Sequence, residues 1–144
     1  MTRYVVGDLR PADRDAVYRF LSEEAYWSQG LPREIFDAAI KWSLCFAAYA
    51  LSDAGDERRT LAGFARVVTD RATYAWLCDV FVVPEHRGKG VAKLVMDAVM
   101  AEPDLRRVRN FVLATRDAHG LYARYGFAPL AEPARWMAIR RPYR

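Results

Sequence analysis

Residues 87–92, which read RGKGVA, decide the fold predicted for this chain. They lie between a long apolar stretch, residues 74–83, and a segment whose apolar residues recur at helical spacing. The first N–H groups of a helix have no internal acceptor, and that end of the helix carries partial positive charge. Gly88 and Gly90 let the backbone curl so that several N–H groups face one anion. We therefore expect the loop to hold a pyrophosphate, with its two basic side chains adding attraction.

The spacing of the glycines narrows the choice of phosphate ligand. The dinucleotide pattern G-x-G-x-x-G is not met, because Lys93 stands where its third glycine would fall. The P-loop pattern is not met either, since no G-K-[ST] follows four spacer residues. An oxidoreductase or a nucleotide kinase is thus disfavoured. A tight strand-to-helix turn with solvated charges remains open as the alternative.

The stretch before the loop predicts the centre of a sheet. Residues 74–83 carry a single carboxylate, Asp79, in an otherwise uncharged run, which is typical of a strand buried on both faces. After the loop, the apolar spacing from Val91 predicts an amphipathic helix that ends before Pro103.

The remaining elements are predicted outward from this centre. Helices are expected to begin near Pro11 and Pro32 and to cover residues 117–125, and residues 52–56 are expected to form a turn. The predicted strands cover residues 3–6, 44–51, 61–68, 74–83, 108–114, 127–130 and 136–139. Together they predict one α/β domain over residues 1–144, a mixed sheet of about seven strands with helices on both faces.

The composition limits the class of protein. The chain has 144 residues, 53% of them hydrophobic, which excludes a disordered chain. No apolar run approaches the ~20 residues that cross a bilayer, and the N-terminus lacks a signal-peptide pattern, so we expect a soluble cytoplasmic protein without membrane contact. Net charge is +4, but the basic residues are scattered, which disfavours nucleic acid as a partner.

The cysteines and histidines point away from metal chemistry. Cys45 and Cys78 lie far apart in apolar segments and are expected to be free, buried thiols. The two histidines, His86 and His119, form no cluster with metal-ligand spacing. We therefore expect no metal site, and Cys78 lacks the histidine partner that a covalent nucleophile would need.

Two motifs carry a resemblance to a known family. RGKGVA at residues 87–92 resembles the [QR]-x-x-G-x-[GA] acyl-CoA loop of the GNAT N-acetyltransferases, and LYARYGF at residues 121–127 resembles their L-Y-x-x-x-G-F signature. The predicted order of elements is similar to the GNAT fold along essentially the whole chain. Residues 66–70 and 114–122 further resemble a subgroup of small bacterial GNAT proteins that supplies no acceptor. The resemblance implies transfer of an acetyl group from acetyl-CoA to a primary amine.

The resemblance also implies where the cofactor would lie. The strand ending at residues 81–83 would splay from the strand that runs beyond Phe111, leaving main-chain groups for the pantetheine arm. The N–H groups of the loop would hold the pyrophosphate, and an N–H near Val82 would bind the thioester oxygen. Thr115 stands where many members carry Asn. The implied cofactor-binding residues are Phe81, Val82, Val83, Arg87, Gly88, Lys89, Gly90, Val91, Ala92, Thr115 and Tyr122.

Acetyl transfer needs a proton donor for the leaving thiolate and an acceptor for the amine proton. Tyr122 is the candidate general acid, because a phenol has a pKa near ~10. Asp79 is the candidate general base, since a carboxylate in an apolar strand is costly without a role or a partner. Pairing of Asp79 with a nearby Arg is the alternative, and His119 or a water chain could replace it as the base.

The acceptor itself stays open. Tyr26 and Trp27 lie in the link that often walls the acceptor site of GNAT folds, and with Asp79 they are the candidate substrate-binding residues. A small amine, an amino acid or a polyamine is expected; a protein N-terminus or a lysine is a variant. A non-catalytic acyl-CoA sensor is the competing class. Homodimers through the late strands are common in this superfamily.

Overall fold

The computed structural model describes residues 2–54 and 58–143. The last residues of the predicted turn at 52–56 therefore lie outside the described part. The strands are β1 (Tyr4–Gly7), β2 (Leu44–Leu51), β3 (Arg59–Thr69), β4 (Tyr74–Val82) and β5 (Asn110–Leu113). The helices are α1 (Arg14–Arg19), which continues into a π-helical turn (Phe20–Glu24), α2 (Arg33–Lys41), α3 (Val91–Ala101), α4 (Pro103–Arg106) and α5 (His119–Ala123). No described helix has both the length and the apolar character needed to span a membrane.

The five strands form one mixed sheet in the order β1-β2-β3-β4-β5. Neighbours from β1 to β4 are antiparallel, and β5 runs parallel to β4. Strand β2 contributes buried residues to both sides of the sheet. In β2, Ala48 and Ala50 face one core while Ala47 and Tyr49 face the other, as the two-residue period of a strand requires.

Helices cover both faces of the sheet. On one face α3 buries Val91, Val95, Met96 and Val99 against the alanines of β2 and β3. On the other face α1 and α2 bury a second cluster of side chains, made of Val17, Leu21, Phe36, Ile40, Tyr49, Phe64 and Phe81 among others. The expectation of an α/β domain with helices on both faces is confirmed.

The expected number of strands was wrong, because the described residues form five rather than about seven. Residues 127–130 and 136–139 are not strands. Met137 is 96% exposed and Ile139 81% exposed, so these segments lie at the surface. A β-prone run of four residues becomes a strand only when a neighbour pairs with its N–H and C=O groups, and no described strand does so here.

Two features of β4 shape the site. Asp79 adopts a left-handed backbone with φ of +55°, and the β3–β4 register shifts between Phe64 and Arg66, which together mark a β-bulge. Parallel pairing of β4 with β5 runs from Tyr74 to Leu77 and stops there. Within the described part of the chain, β4 forms no pair with β5 beyond Leu77. The two strands therefore part at Leu113, which is two residues further along β5 than Phe111.

Candidate active site

The loop before α3 is an open, uncapped helix N-terminus. Gly90 precedes the helix with φ of +80°, and no side chain caps it. Gly88 has φ of +74°, and a Cβ added at either glycine would meet no heavy atom within 4 Å. The first N–H groups of α3 therefore face free space with partial positive charge, an arrangement that suits an anion.

Arg87 ties this loop to the end of β4. Its Nε donates a hydrogen bond to the Val82 carbonyl over 3.1 Å. The Val83 N–H donates to the Ala62 carbonyl over 2.8 Å, so it points towards β3. Since neighbouring residues of a strand point their N–H groups to opposite sides, the Val82 N–H points away from β3, towards the gap. Of these two residues, Val83 thus has its N–H bonded to β3 and Val82 does not, and the expected cofactor contacts of both stay predictions.

The Phe81 side chain is committed to the core. It is 6% exposed, stacks on Phe20 with 4.0 Å between ring centroids, and packs near Phe64. Any contact of this residue with a cofactor would have to come from its main chain. Phe81, Val82 and Val83, like the loop at residues 87–92, lie outside the lining of the cavity described next.

A cavity of about 640 Å³ opens where β4 and β5 part. It brings together five of the side chains singled out from the sequence: Tyr26, Trp27, Asp79, Thr115 and Tyr122. Its wall also includes parts of α2, the parting strands and the C-terminal residues, among them Phe36, Arg66, Trp76, Cys78, Leu113, Asp117, Arg140, Arg141 and Tyr143. The expected acceptor-site residues and the expected acid therefore surround one space.

Asp79 is held from two sides. Its Oδ2 lies 2.7 Å from Arg66 Nε, and its Oδ1 accepts a hydrogen bond from Trp27 Nε1 over 2.8 Å. Arg66 also donates to Ser43 Oγ over 3.0 Å. Burial lowers the pKa of Arg66, but the charge and hydrogen bond of Asp79, together with smaller contributions from Cys78 and Cys45, offset this effect, so the net pKa is raised. Of the alternatives left open for Asp79, the structure thus shows the arginine pair.

Tyr122 reaches the cavity from α5. It is 8% exposed, and burial, followed by the proximity of Tyr26 and Asp117, raises the pKa of its phenol above the ordinary value. Among the described residues no hydrogen bond uses the Tyr122 hydroxyl, and none of their fully buried side-chain polar atoms is unpaired. The phenol therefore stays protonated and has its proton available towards the cavity.

Tyr26 connects the loop that carries it and Trp27 to the loop after β5. Its ring lies under the Arg116 guanidinium, 3.8 Å from the carbon Cζ to the ring centroid, and its hydroxyl accepts the Arg116 N–H over 3.3 Å. Trp27 meets the Tyr26 ring edge to face, with 5.0 Å between centroids. These contacts hold the two aromatic side chains in place along the cavity wall.

The remaining residues considered from the sequence are Thr115, His119 and the two cysteines. The Thr115 hydroxyl accepts the N–H of Ala118 over 3.1 Å, so it closes the turn that leads into α5. His119 is exposed and does not line the cavity. Cys78 does line it, but burial raises the pKa of its thiol to about 12, and that of Cys45 to about 11. Both cysteines are free.

Sequence reasoning missed Arg66 and the C-terminal residues of the cavity. An arginine in the strand before the one that carries a lone aspartate could have predicted the Arg66–Asp79 pair. The segment with Arg140 and Arg141 gave no signal, because its basic residues resembled ordinary solvated surface. Its place over the cavity follows from Tyr143, whose Cβ lies 4.0 Å from the point where a Cβ on Gly30 would lie.

Comparison with known proteins identifies relatives of this chain. The sequence profile of the GNAT acetyltransferase domain matches residues 41–129. A Gibberella zeae protein named "Putative acetyltransferase FG08082" is 30% identical over 126 residues, covering 76% of this chain and 70% of that protein. A GNAT-family protein from Xanthomonas campestris pv. campestris is 45% identical, with a TM-score of 0.87 over 99% of this chain and 96% of that one.

A Clostridium acetobutylicum protein, described as a predicted acetyltransferase and solved with acetyl-CoA, shares the fold at 16% identity. Its TM-score is 0.63, over 97% of this chain and 96% of that one. The profile matches most of the chain, and the relatives cover it as well. Both findings confirm the family that the two sequence motifs indicated. The chain belongs to the GNAT family of acetyltransferases.

Proposed function

We propose that this protein is an acetyl-CoA-dependent N-acetyltransferase acting on a primary amine of a small molecule, by direct attack within a ternary complex. One observation carries the proposal: an open, glycine-flanked helix N-terminus lies at the end of the strand whose parting from β5 opens a cavity lined by Tyr122 and Asp79. Consecutive stretches of the chain, β4 and the start of α3, would thus bind the reacting end and the phosphate end of one extended cofactor.

The residues present fit such a cofactor. The N–H groups that open α3 would hold the phosphates, because no side chain competes for them and both left-handed glycines leave the space clear. The exposed Lys89 would add attraction. The main chain of β4 beyond Leu77, with Val82 facing the gap, would hold the pantetheine arm. When bound, acetyl-CoA supplies an acetyl group activated as a thioester.

Tyr122 would hold the proton that the leaving sulfur needs. Burial keeps its phenol protonated at neutral pH, and its hydroxyl is free to donate into the cavity. A main-chain N–H of β4 near Val82 would stabilise charge on the thioester oxygen, a type of contact that is worth ~3–4 kcal/mol in other enzymes.

Asp79 would orient the amine. Both of its oxygens already accept a hydrogen bond, from Arg66 and from Trp27, and this favours a positioning role over that of a strong base. A lysine-like amine has a pKa of ~10.4, so only a small fraction is neutral at pH 7. The amine proton would leave through water in the cavity, and the rate would rise with pH.

Titration with acetyl-CoA by calorimetry tests the proposal. The wild type is compared with Gly90→Asp and Gly90→Asn, which have nearly the same shape, tolerate a left-handed backbone and cap helices well. They differ in the negative charge that Asp places in the phosphate cradle. We expect micromolar binding by the wild type and at least tenfold weaker binding by Gly90→Asp than by Gly90→Asn.

Absence of acetyl-CoA binding by a folded wild type would overturn the proposal. If binding is found, a panel of amines is assayed by release of free thiol, with Tyr122→Phe as the control for chemistry. Tight binding without any acetylated product would instead identify a non-catalytic acyl-CoA sensor. The placement of Tyr122 and Asp79 on one cavity favours the enzyme.

A further inference from the structure

The charges around the cavity do not balance. Its charged lining residues are Arg66, Asp79, Asp117, Arg140 and Arg141. Arg66 and Asp79 neutralise one another across 2.7 Å, with side chains only 14% and 11% exposed. Two arginines then face one carboxylate, so the part of the cavity open to a ligand carries an excess of positive charge.

Arg140 and Arg141 are available to a ligand. Both are exposed, and among the described residues neither forms a hydrogen bond or an ion pair. Arg135, in the same segment, is engaged instead: its Nη1 lies 2.7 Å from Glu132 Oε2. A pair of free guanidinium groups at the wall of a cavity matches the planar, forked geometry of a carboxylate or a phosphate.

The segment that carries the two arginines lies beside the loop of Tyr26 and Trp27. Pro142 and Tyr143 continue the cavity wall, and Tyr143 lies beside Gly30, the glycine that follows the loop of Tyr26 and Trp27. The free arginines and the aromatic wall therefore bound the same space as Asp79 and Tyr122, rather than a separate surface patch.

We infer that the amine acceptor also carries an anionic group, a carboxylate or a phosphate, and that Arg140 and Arg141 bind it. This inference rests on the proposed function and names its substrate class. The amine end lies towards Asp79 and Tyr122, and the anion lies towards the C-terminal arginines. A polyamine is disfavoured, because its additional cations would meet two arginines and only Asp117 would attract them.

Matched pairs of compounds test the inference. Phenylalanine is compared with phenethylamine, and phosphoethanolamine with ethanolamine, so that each pair differs in the anion alone; spermidine represents the polyamines. Binding is measured by calorimetry on protein loaded with coenzyme A, and turnover by thiol release. At least one anionic amine is expected to bind tenfold or more tightly than its partner without the anion, and the pair that responds distinguishes a carboxylate from a phosphate.

Variants assign the effect to the arginines. In Arg140→Ala/Arg141→Ala the anionic amine is expected to lose about ten- to a hundredfold in affinity, the range for hydrogen bonds to charged groups, with no loss for its partner without the anion. Arg140→Glu/Arg141→Glu should shift the preference towards spermidine. Arg135→Ala, in the same segment but outside the cavity, is the matched control and should behave as the wild type.

The outcomes separate this inference from the proposed function. Equal binding of the members with and without the anion in both pairs, or an equal loss for both in the alanine variant, would overturn the anion site. If acetyl-CoA binds in those same preparations, the proposed function survives that result. If acetyl-CoA does not bind, both fall together.

Discussion

The Arg66 guanidinium and the Asp79 carboxylate form a mostly buried ion pair at the residue where β4 bulges. Nε and Oδ2 lie 2.7 Å apart, and Asp79 has a left-handed backbone with φ of +55°. A left-handed conformation is uncommon for residues other than glycine, and aspartate is one of the few that tolerate it. The pair, with Trp27 on the other carboxylate oxygen, therefore holds a strained turn of the strand beside the cavity.

Replacing Asp79 by Asn should destabilise the fold. The substitution leaves the Arg66 charge buried without a partner, which costs about 3 kcal/mol in comparable pairs. Urea denaturation should show this loss, and Arg66→Met/Asp79→Asn should recover much of it. Asp97→Asn, which breaks the exposed pair with Lys93, is the control and should change the stability little. Equal effects of Asp79→Asn and Asp97→Asn would contradict this account of the pair.

Replacing Tyr122 by Phe should lower kcat by at least a hundredfold, since a positioned proton donor contributes about 10²–10⁴-fold. The affinity for acetyl-CoA should stay unchanged, because the ring keeps its packing. Tyr125→Phe is the matched control: that hydroxyl bonds to Asp97 and to the Lys93 carbonyl, away from the cavity. Steady-state kinetics and calorimetry measure both variants. A similar loss in the two would exclude a specific role for Tyr122.

Stability should fall as the pH rises above about 9. Unfolded thiols ionise near pH ~8.5, whereas burial raises the pKa of Cys45 to about 11 and that of Cys78 to about 12 in the folded chain. In that interval the folded state holds protons that the unfolded state releases, so unfolding becomes easier by up to ~1.4 kcal/mol per pH unit for each thiol.

Urea denaturation at several pH values between 8 and 10.5 (about 0.5 apart) measures this slope. Cys45→Ala/Cys78→Ala should flatten it. Some slope should remain, because burial also raises the pKa of Tyr49 and of Tyr122. In the folded wild type, alkylation of the thiols at pH 8 should be slow. Identical slopes with and without the cysteines would show that the thiols are not the source.

Replacing Gly63 by Ala should disturb the seat of α3. A Cβ at Gly63 would lie 2.9 Å from Val91 Cγ1 and 3.3 Å from the Phe81 carbonyl oxygen. Because Val91 opens α3, the phosphate cradle should shift with it. We expect a stability loss of ~1–3 kcal/mol, typical of overpacking, and weaker binding of acetyl-CoA.

Gly7→Ala is the matched control for that variant, since a Cβ on this strand glycine meets nothing within 4 Å. Thermal unfolding and calorimetry should leave Gly7→Ala close to the wild type. A Gly63→Ala protein with wild-type stability and affinity would show that α3 can move away without cost.

The local patterns were sufficient for the elements around the glycine loop. A left-handed glycine, an uncapped helix start and an amphipathic run are decided by neighbours in the chain, so residues 87–101 were predictable from sequence. The helices on both faces followed in the same way from apolar periodicity. Two predicted strands, at 127–130 and 136–139, were wrong, because their β-prone residues carry no information about whether an edge will pair with them.

By itself, then, the sequence determined the family, the layers and the glycine-flanked start of α3, all of which depend on short-range geometry. Only the tertiary structure decided what surrounds the reacting end. Arg66 reaches Asp79 because β3 and β4 are neighbouring strands with a bulge between them. Arg140 and Arg141 reach the cavity because the chain returns over the loop of Tyr26 and Trp27. Coulombic partners and cavity walls depend on distances in space, which the separation of residues along the chain does not encode.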